Sequence, residues 1–151
     1  MFNILVVEDN FNKMNKVIDC INSNLSDVNL EVGESFTSGW KKINSKHFDL
    51  ICLDMSLPTF DQSDSEVGGR FRVFGGRELA QKMKRKNIKS KYIFITHYKN
   101  FSDHNKSYSF DELKVELLDS FKESCIDVIF FSNKSSEWRD TFSNHLVELN
   151  R

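Results

Sequence analysis

Proline occurs once in these 151 residues, at Pro58, glycine six times and cysteine three times. No stretch approaches the ~20 consecutive apolar residues of a membrane-spanning helix. The start, MFNILVVEDN, reaches acidic residues too early for a secretion signal. Cys20, Cys52 and Cys125 are widely spaced, odd in number and set among apolar neighbours. That excludes a closed disulfide framework, and no histidine stands at metal-ligand spacing from any of them, so they are expected as reduced core residues. His47, His104 and His145 are expected at the surface. An excess of one charge is also missing. The 21 basic and 22 acidic residues leave a net charge of −1, with no electrostatic footprint for nucleic acid or an anionic membrane. Linkers, repeats and low-complexity segments are absent as well. The expectation is a single cytoplasmic domain over residues 1–151.

What is present is alternation. The apolar runs Ile4–Val7, Leu50–Leu53, Tyr92–Ile95 and Val128–Phe131 have the length of strands buried on both faces. Val28, Leu30 and Val32 alternate with polar residues, as on a half-exposed edge strand. Between these runs, apolar residues recur at helical spacing: Met14, Val17, Ile18 and Ile21; Phe36, Trp40 and Ile43; Leu79, Ala80 and Met83; Leu113, Leu117 and Phe121; Trp138, Phe142 and Leu146. Ser109 with Glu112 three residues on reads as a capping box, and Ser135 or Ser136 as the cap of the last helix. Five strands and five helices in strict alternation predict an α/β fold, a doubly wound five-stranded parallel sheet with right-handed crossovers.

In such sheets ligands bind beyond the carboxyl ends of the strands. Here the first strand ends in Glu8-Asp9, the third in Asp54 and the fourth in Thr96. Acids after strands are common as helix caps, and Asp9 or Asn10 fits that use too. Acids at two separate strand ends, with a hydroxyl at a third, point further. Converging carboxylates repel unless a cation lies among them, and an all-oxygen set completed by water and phosphate suits Mg²⁺. An aspartate beside that ion is placed to take a phosphoryl group, with the Thr96 hydroxyl holding its oxygens.

"ILVVEDN", "FDLICLDMSLP" and "YIFITH", in this order and spacing, resemble the receiver domain of bacterial two-component response regulators. The resemblance spans essentially the whole chain. It implies the flavodoxin-like strand order 2-1-3-4-5 and a phosphoacceptor at Asp54, charged by a histidine kinase or phosphotransfer protein. It further implies Mg²⁺ at Glu8, Asp9, Asp54 and the backbone carbonyl of Ser56, a switch hydroxyl at Thr96, and a surface over Val115 to Phe131 that changes shape. With no output domain expected after Arg151, output would be contact with a protein effector.

The sequence departs from the family in three ways. The lysine expected straight after the last strand falls on Ser132, and Lys134 would need a small bulge to contact phosphate. His97 follows Thr96, where a small residue is usual. The loops over residues 59–75 and 97–108 are longer by about fourteen and about a dozen residues, beyond ordinary connection lengths. "GGRFRVFGG" suggests a short strand or a flap with Phe71 and Phe74 inward, glycine pairs as turns or hinges, and Arg70, Arg72 and Arg77 as solubilising charges or as contacts to a phosphate or a partner carboxylate. The alternative is a pseudo-receiver that binds a partner without phosphoryl chemistry. A turnover enzyme is disfavoured: haloacid-dehalogenase-like enzymes need a second carboxylate where Ser56 stands, and "EDNFNK" is no phosphate-binding glycine loop.

Overall fold

The computed structural model describes residues 1–62, 69–98, 100–103 and 106–151; Gly68 and His104, singled out above, lie outside the described residues. Its elements are β1 (Phe2–Val7), α1 (Phe11–Asn24), β2 (Val28–Gly33), α2 (Phe36–Ile43), β3 (Leu50–Leu53), β4 (Leu57–Pro58), β5 (Phe71–Arg72), α3 (Gly75–Arg85), β6 (Lys91–Thr96), β7 (Asn100–Asp103), β8 (Lys106–Ser109), α4 (Phe110–Ser120), β9 (Cys125–Phe130) and α5 (Glu137–Leu149).

The main sheet has the order β2-β1-β3-β6-β9 and is parallel throughout, which is the expected 2-1-3-4-5 arrangement once the short strands are set aside. Ile4 of β1 lies opposite Leu50 of β3, and Leu50 opposite Lys91 of β6. Because side chains alternate across a strand, each apolar run feeds two cores. Leu5, Val7, Ile51, Leu53, Tyr92 and Phe94 meet Leu79, Met83, Leu113 and Leu117 on the α2–α3–α4 side. Ile4, Val6, Cys52, Ile93 and Ile95 meet Met14, Val17, Ile21, Phe142 and Leu146 on the α1–α5 side. All three cysteines are free and buried. Among the described residues the edge strand β2 pairs only with β1, and its residues are half-buried up to Gly33 without the anticipated in–out alternation.

The helix starts follow local chemistry. Asn10 Oδ1 accepts from the Lys13 amide at 3.0 Å, and Ser109 with Glu112 forms the expected capping box. Ser136 occupies the last cap position without a side-chain hydrogen bond, whereas Ser135 Oγ accepts from the Glu137 amide at 3.2 Å.

Both long connections contain antiparallel pairs. Leu57–Pro58 pairs with Phe71–Arg72, and Asn100–Asp103 with Lys106–Ser109. Phe74 is buried as expected, but Phe71 points outward at 49% exposure. Gly69 has φ +74, the left-handed conformation glycine adopts at no steric cost. Gly75 and Gly76 are neither turns nor hinges. They form the buried first turn of α3, and a Cβ on Gly76 would stand 2.2 Å from the backbone oxygen of Asp54. The absent side chain is what lets α3 start against the end of β3.

Gly76→Ala is therefore expected to lose stability by roughly 1–3 kcal/mol or more, since backbone on both sides cannot yield. Gly75→Ala, whose Cβ would approach the Leu57 side chain at 3.1 Å, is expected to lose less. Urea unfolding of the two variants measures the difference.

Candidate functional site

The main-sheet register brings the acids together. The Asp54 amide donates to the Val7 carbonyl at 3.1 Å and the Glu8 amide to the Gly33 carbonyl at 2.9 Å, which aligns the ends of β1, β2 and β3. One carboxylate oxygen each from Glu8, Asp9 and Asp54 then lies within 4.8 Å of the others. Glu8 and Asp54 are buried and Asp9 is exposed. Thr96, at the end of β6, is fully buried, and its hydroxyl has no hydrogen-bond partner among the described residues.

A residue not anticipated from the sequence reaches two members of this group, Glu8 and Asp54. Lys13, in the first turn of α1, is 2% exposed. Its ammonium lies 2.7 Å from Glu8 Oε1 and 3.1 Å from Asp54 Oδ1, and donates to the Ile95 carbonyl at 2.5 Å. Three acceptors satisfy all three of its donors. The signal was present in the pattern: Lys13 falls on the same helical stripe as Val17, Cys20 and Ile21, and a cation in a helix's first turn opposes the helix dipole. A lysine placed against both tendencies has a partner elsewhere.

Burial, and then the Asp54 charge, push the Glu8 carboxyl up to about 8, with the Lys13 ammonium opposing in part. Asp9 is raised by the same two causes in the same order. Burial works to lower the Lys13 pKa, but the Asp54 and Glu8 charges outweigh it and hold the ammonium above the ordinary lysine value. One ammonium does not neutralise three carboxylates. The remaining charge and the all-oxygen donors fit a hard divalent cation such as Mg²⁺.

The other anticipated residues divide. Ser56 is buried beside the site, its hydroxyl donating to the Val73 carbonyl at 2.8 Å. Lys134 is exposed and makes no ion pair among the described residues; its amide donates to Ser132 Oγ at 3.1 Å. It lies on a cleft of about 430 Å³ that Lys13, His97 and Phe131 also line. His97 is half-buried, with Nδ1 unpartnered among the described residues and its ring 4.2 Å from that of Tyr98. Burial, then the Lys13 charge, lower its pKa. Arg72 pairs with Glu78 and Arg77 with Glu116, at 2.8 and 2.7 Å, so both are committed away from the acids. Arg70 is exposed. His47 is exposed, whereas His145 is half-buried against Asp127 at 2.8 Å and is no free surface residue.

No family model matches the chain. It is 27% identical over 148 residues to the Detocs response regulatory protein DtcB of Enterobacter cloacae, covering 97% of this chain and 99% of that protein. A CheY-like response regulator receiver domain from Methanospirillum hungatei superposes with a TM-score of 0.62 at 21% identity, over 99% of this chain and 94% of that one. A CheX–CheY complex with BeF3 and Mg²⁺ from Borrelia burgdorferi gives 0.63 at 12% identity, over 99% and 90%. The chain has the receiver fold.

Folding raises the Glu8 pKa, so the native protein keeps a proton that the unfolded chain has already released. Stability present near pH 5 should therefore be lost as pH rises toward about 8. Thermal unfolding in chelator is expected to show a Tm falling across that window. Glu8→Gln should flatten the fall, and millimolar Mg²⁺, which favours the ionised carboxylates, should oppose it.

Proposed function

We propose that this chain is a phosphoacceptor signalling domain in which Asp54 is the residue phosphorylated. One observation carries the reading: a buried aspartate at a strand end, grouped within 4.8 Å with Glu8 and Asp9, with the buried Thr96 hydroxyl, which has no hydrogen-bond partner among the described residues, at the end of β6. The likeness to a protein named as a response regulatory protein supports it, as does the fold shared with a CheY complex containing BeF3 and Mg²⁺.

Asp54 Oδ1 accepts from the Met55 amide at 2.8 Å and from Lys13. The other carboxylate oxygen is the nucleophile. It forms a bond to phosphorus as the bond from phosphorus to the donor breaks, and the donor group leaves with that electron pair. Mg²⁺, held by Glu8, Asp9, Asp54 and the Ser56 backbone carbonyl, would offset the charge of the phosphoryl oxygens. The Thr96 hydroxyl donates to one of those oxygens, gaining the partner it lacks. The added charge of about −1.5 to −2 then biases whichever surface a protein effector reads. The phosphodonor is a histidine kinase or phosphotransfer protein. The role is regulatory rather than that of a turnover enzyme. A cytoplasmic location accords with the described residues, in which no helix is long and apolar enough to cross a membrane.

A second reading, the phosphorylation-independent binding module, draws on one feature: Asp54 is already paired with an ammonium in the resting state. Incubation with Mg²⁺ and acetyl phosphate followed by intact-mass measurement separates the two. The phosphoacceptor reading expects a gain of one phosphoryl group, lost in Asp54→Ala. No uptake from acetyl phosphate or from a broad set of phosphorylated kinases would leave only the binding module.

A further inference from the structure

Lys134 is the phosphate-contacting lysine suggested by sequence position, yet it is exposed and unpaired among the described residues. We propose that Lys13, delivered from α1, is the cation that contacts the phosphoryl group on Asp54, in place of the lysine missing at Ser132. The inference rests on the phosphoacceptor reading and deepens it.

The position of the ammonium carries the argument. It bonds Glu8 at the end of β1, Asp54 just past β3 and the Ile95 carbonyl in β6. It also stands 5.9 Å from the centre of the Phe131 ring, at the end of β9 and next to Ser132. One nitrogen thus spans four strand ends, on the side of Asp54 that faces β6 and β9. A lysine at position 132 would enter that same space from the other side. Ser132 and Lys13 line one cleft.

Charge supports the assignment. An ammonium 3.1 Å from one carboxylate oxygen is within reach of a phosphoryl oxygen carried by the other. Burial and the dipole of α1 both oppose a cation here, so an apolar residue on this stripe would serve the helix better if packing were the whole role. The three acceptors hold the ammonium beside Asp54 before the phosphoryl group arrives, and it then exchanges one of those bonds for a phosphoryl oxygen, a smaller rearrangement than a flexible exposed lysine such as Lys134 must undergo. Lys13 is a positioning and charge-stabilising group; Asp54 remains the only nucleophile.

The test is a titration of the full chain with beryllofluoride and Mg²⁺, followed by ¹⁹F NMR of the bound phosphoryl mimic. Lys13→Met is expected to weaken binding by roughly ten-fold or more, the size of a charge-assisted hydrogen bond, and Lys134→Met by less than about two-fold. Adding Ser132→Lys to Lys13→Met should restore binding, a rescue that a purely structural role for Lys13 would not show. A second measurement needs no variant: the side-chain ¹⁵N resonance of Lys13, not that of Lys134, should move when the mimic binds. Wild-type-like binding by Lys13→Met, or movement of Lys134 alone, overturns the assignment while leaving Asp54 as the acceptor. No bound ¹⁹F signal in the wild-type protein removes both.

Discussion

The contact on which the rest of the site depends is the buried ammonium of Lys13, held by Glu8 Oε1, Asp54 Oδ1 and the Ile95 carbonyl. Without it, two buried carboxylates would face each other in a low-dielectric setting, which costs several kcal/mol per unpaired ion. With it, the ends of β1, β3 and β6 are joined through one nitrogen, and α1 is locked in rotation against the sheet. One cation among three acids leaves negative charge that a divalent ion can offset. Burial, and then the Asp54 charge, push the Glu8 carboxyl up to about 8.

This arrangement explains why the fold was easier to read from the sequence than the site. Runs such as Leu50-Ile51-Cys52-Leu53 announce strands buried on both faces, and their order followed from strict alternation with helices. Strand-end acids are likewise visible, because the chain must leave the sheet at Glu8 and Asp54. Lys13 is harder to see, because its chemistry depends on rotation about α1 rather than on a strand end, and its face shows only when "EDNFNK" is read together with the stripe of Val17, Cys20 and Ile21. Lys134 is suggested only by nearness in sequence to the last strand. In the structure, the stretch after β9 runs outward, and Ser132 holds the Lys134 amide instead.

The short strands are only partly legible. The alternation in "GGRFRVFGG" marks Phe71–Arg72, whereas its partner Leu57–Pro58, two residues long, is below any periodicity a sequence window detects. The β7–β8 pair carries few apolar residues to mark it. What joins these two additions is aromatic and cationic. Phe74 and Tyr108 meet edge-to-face with ring centres 5.8 Å apart, and the Arg77 guanidinium stands 4.6 Å from the first ring and 5.6 Å from the second. Arg77 in turn pairs with Glu116 of α4. The two insertions are thus tied to each other and to α4, on the face of the sheet away from α1. Arg77, which a sequence reading offers to phosphate, is instead the pin of this assembly.

The site and its scaffold therefore divide the work by face: α1 supplies the cation to the acids, and α3 closes on Asp54 through the bare backbone of Gly76. A crystal structure of the protein with Mg²⁺ and beryllofluoride tests this most directly. A divalent ion is expected to touch Glu8, Asp9 and Asp54, with fluorides on Asp54 within hydrogen-bond distance of Lys13 Nζ and Thr96 Oγ1. Beryllofluoride absent from Asp54, or Lys134 turned inward with Lys13 displaced, would contradict it.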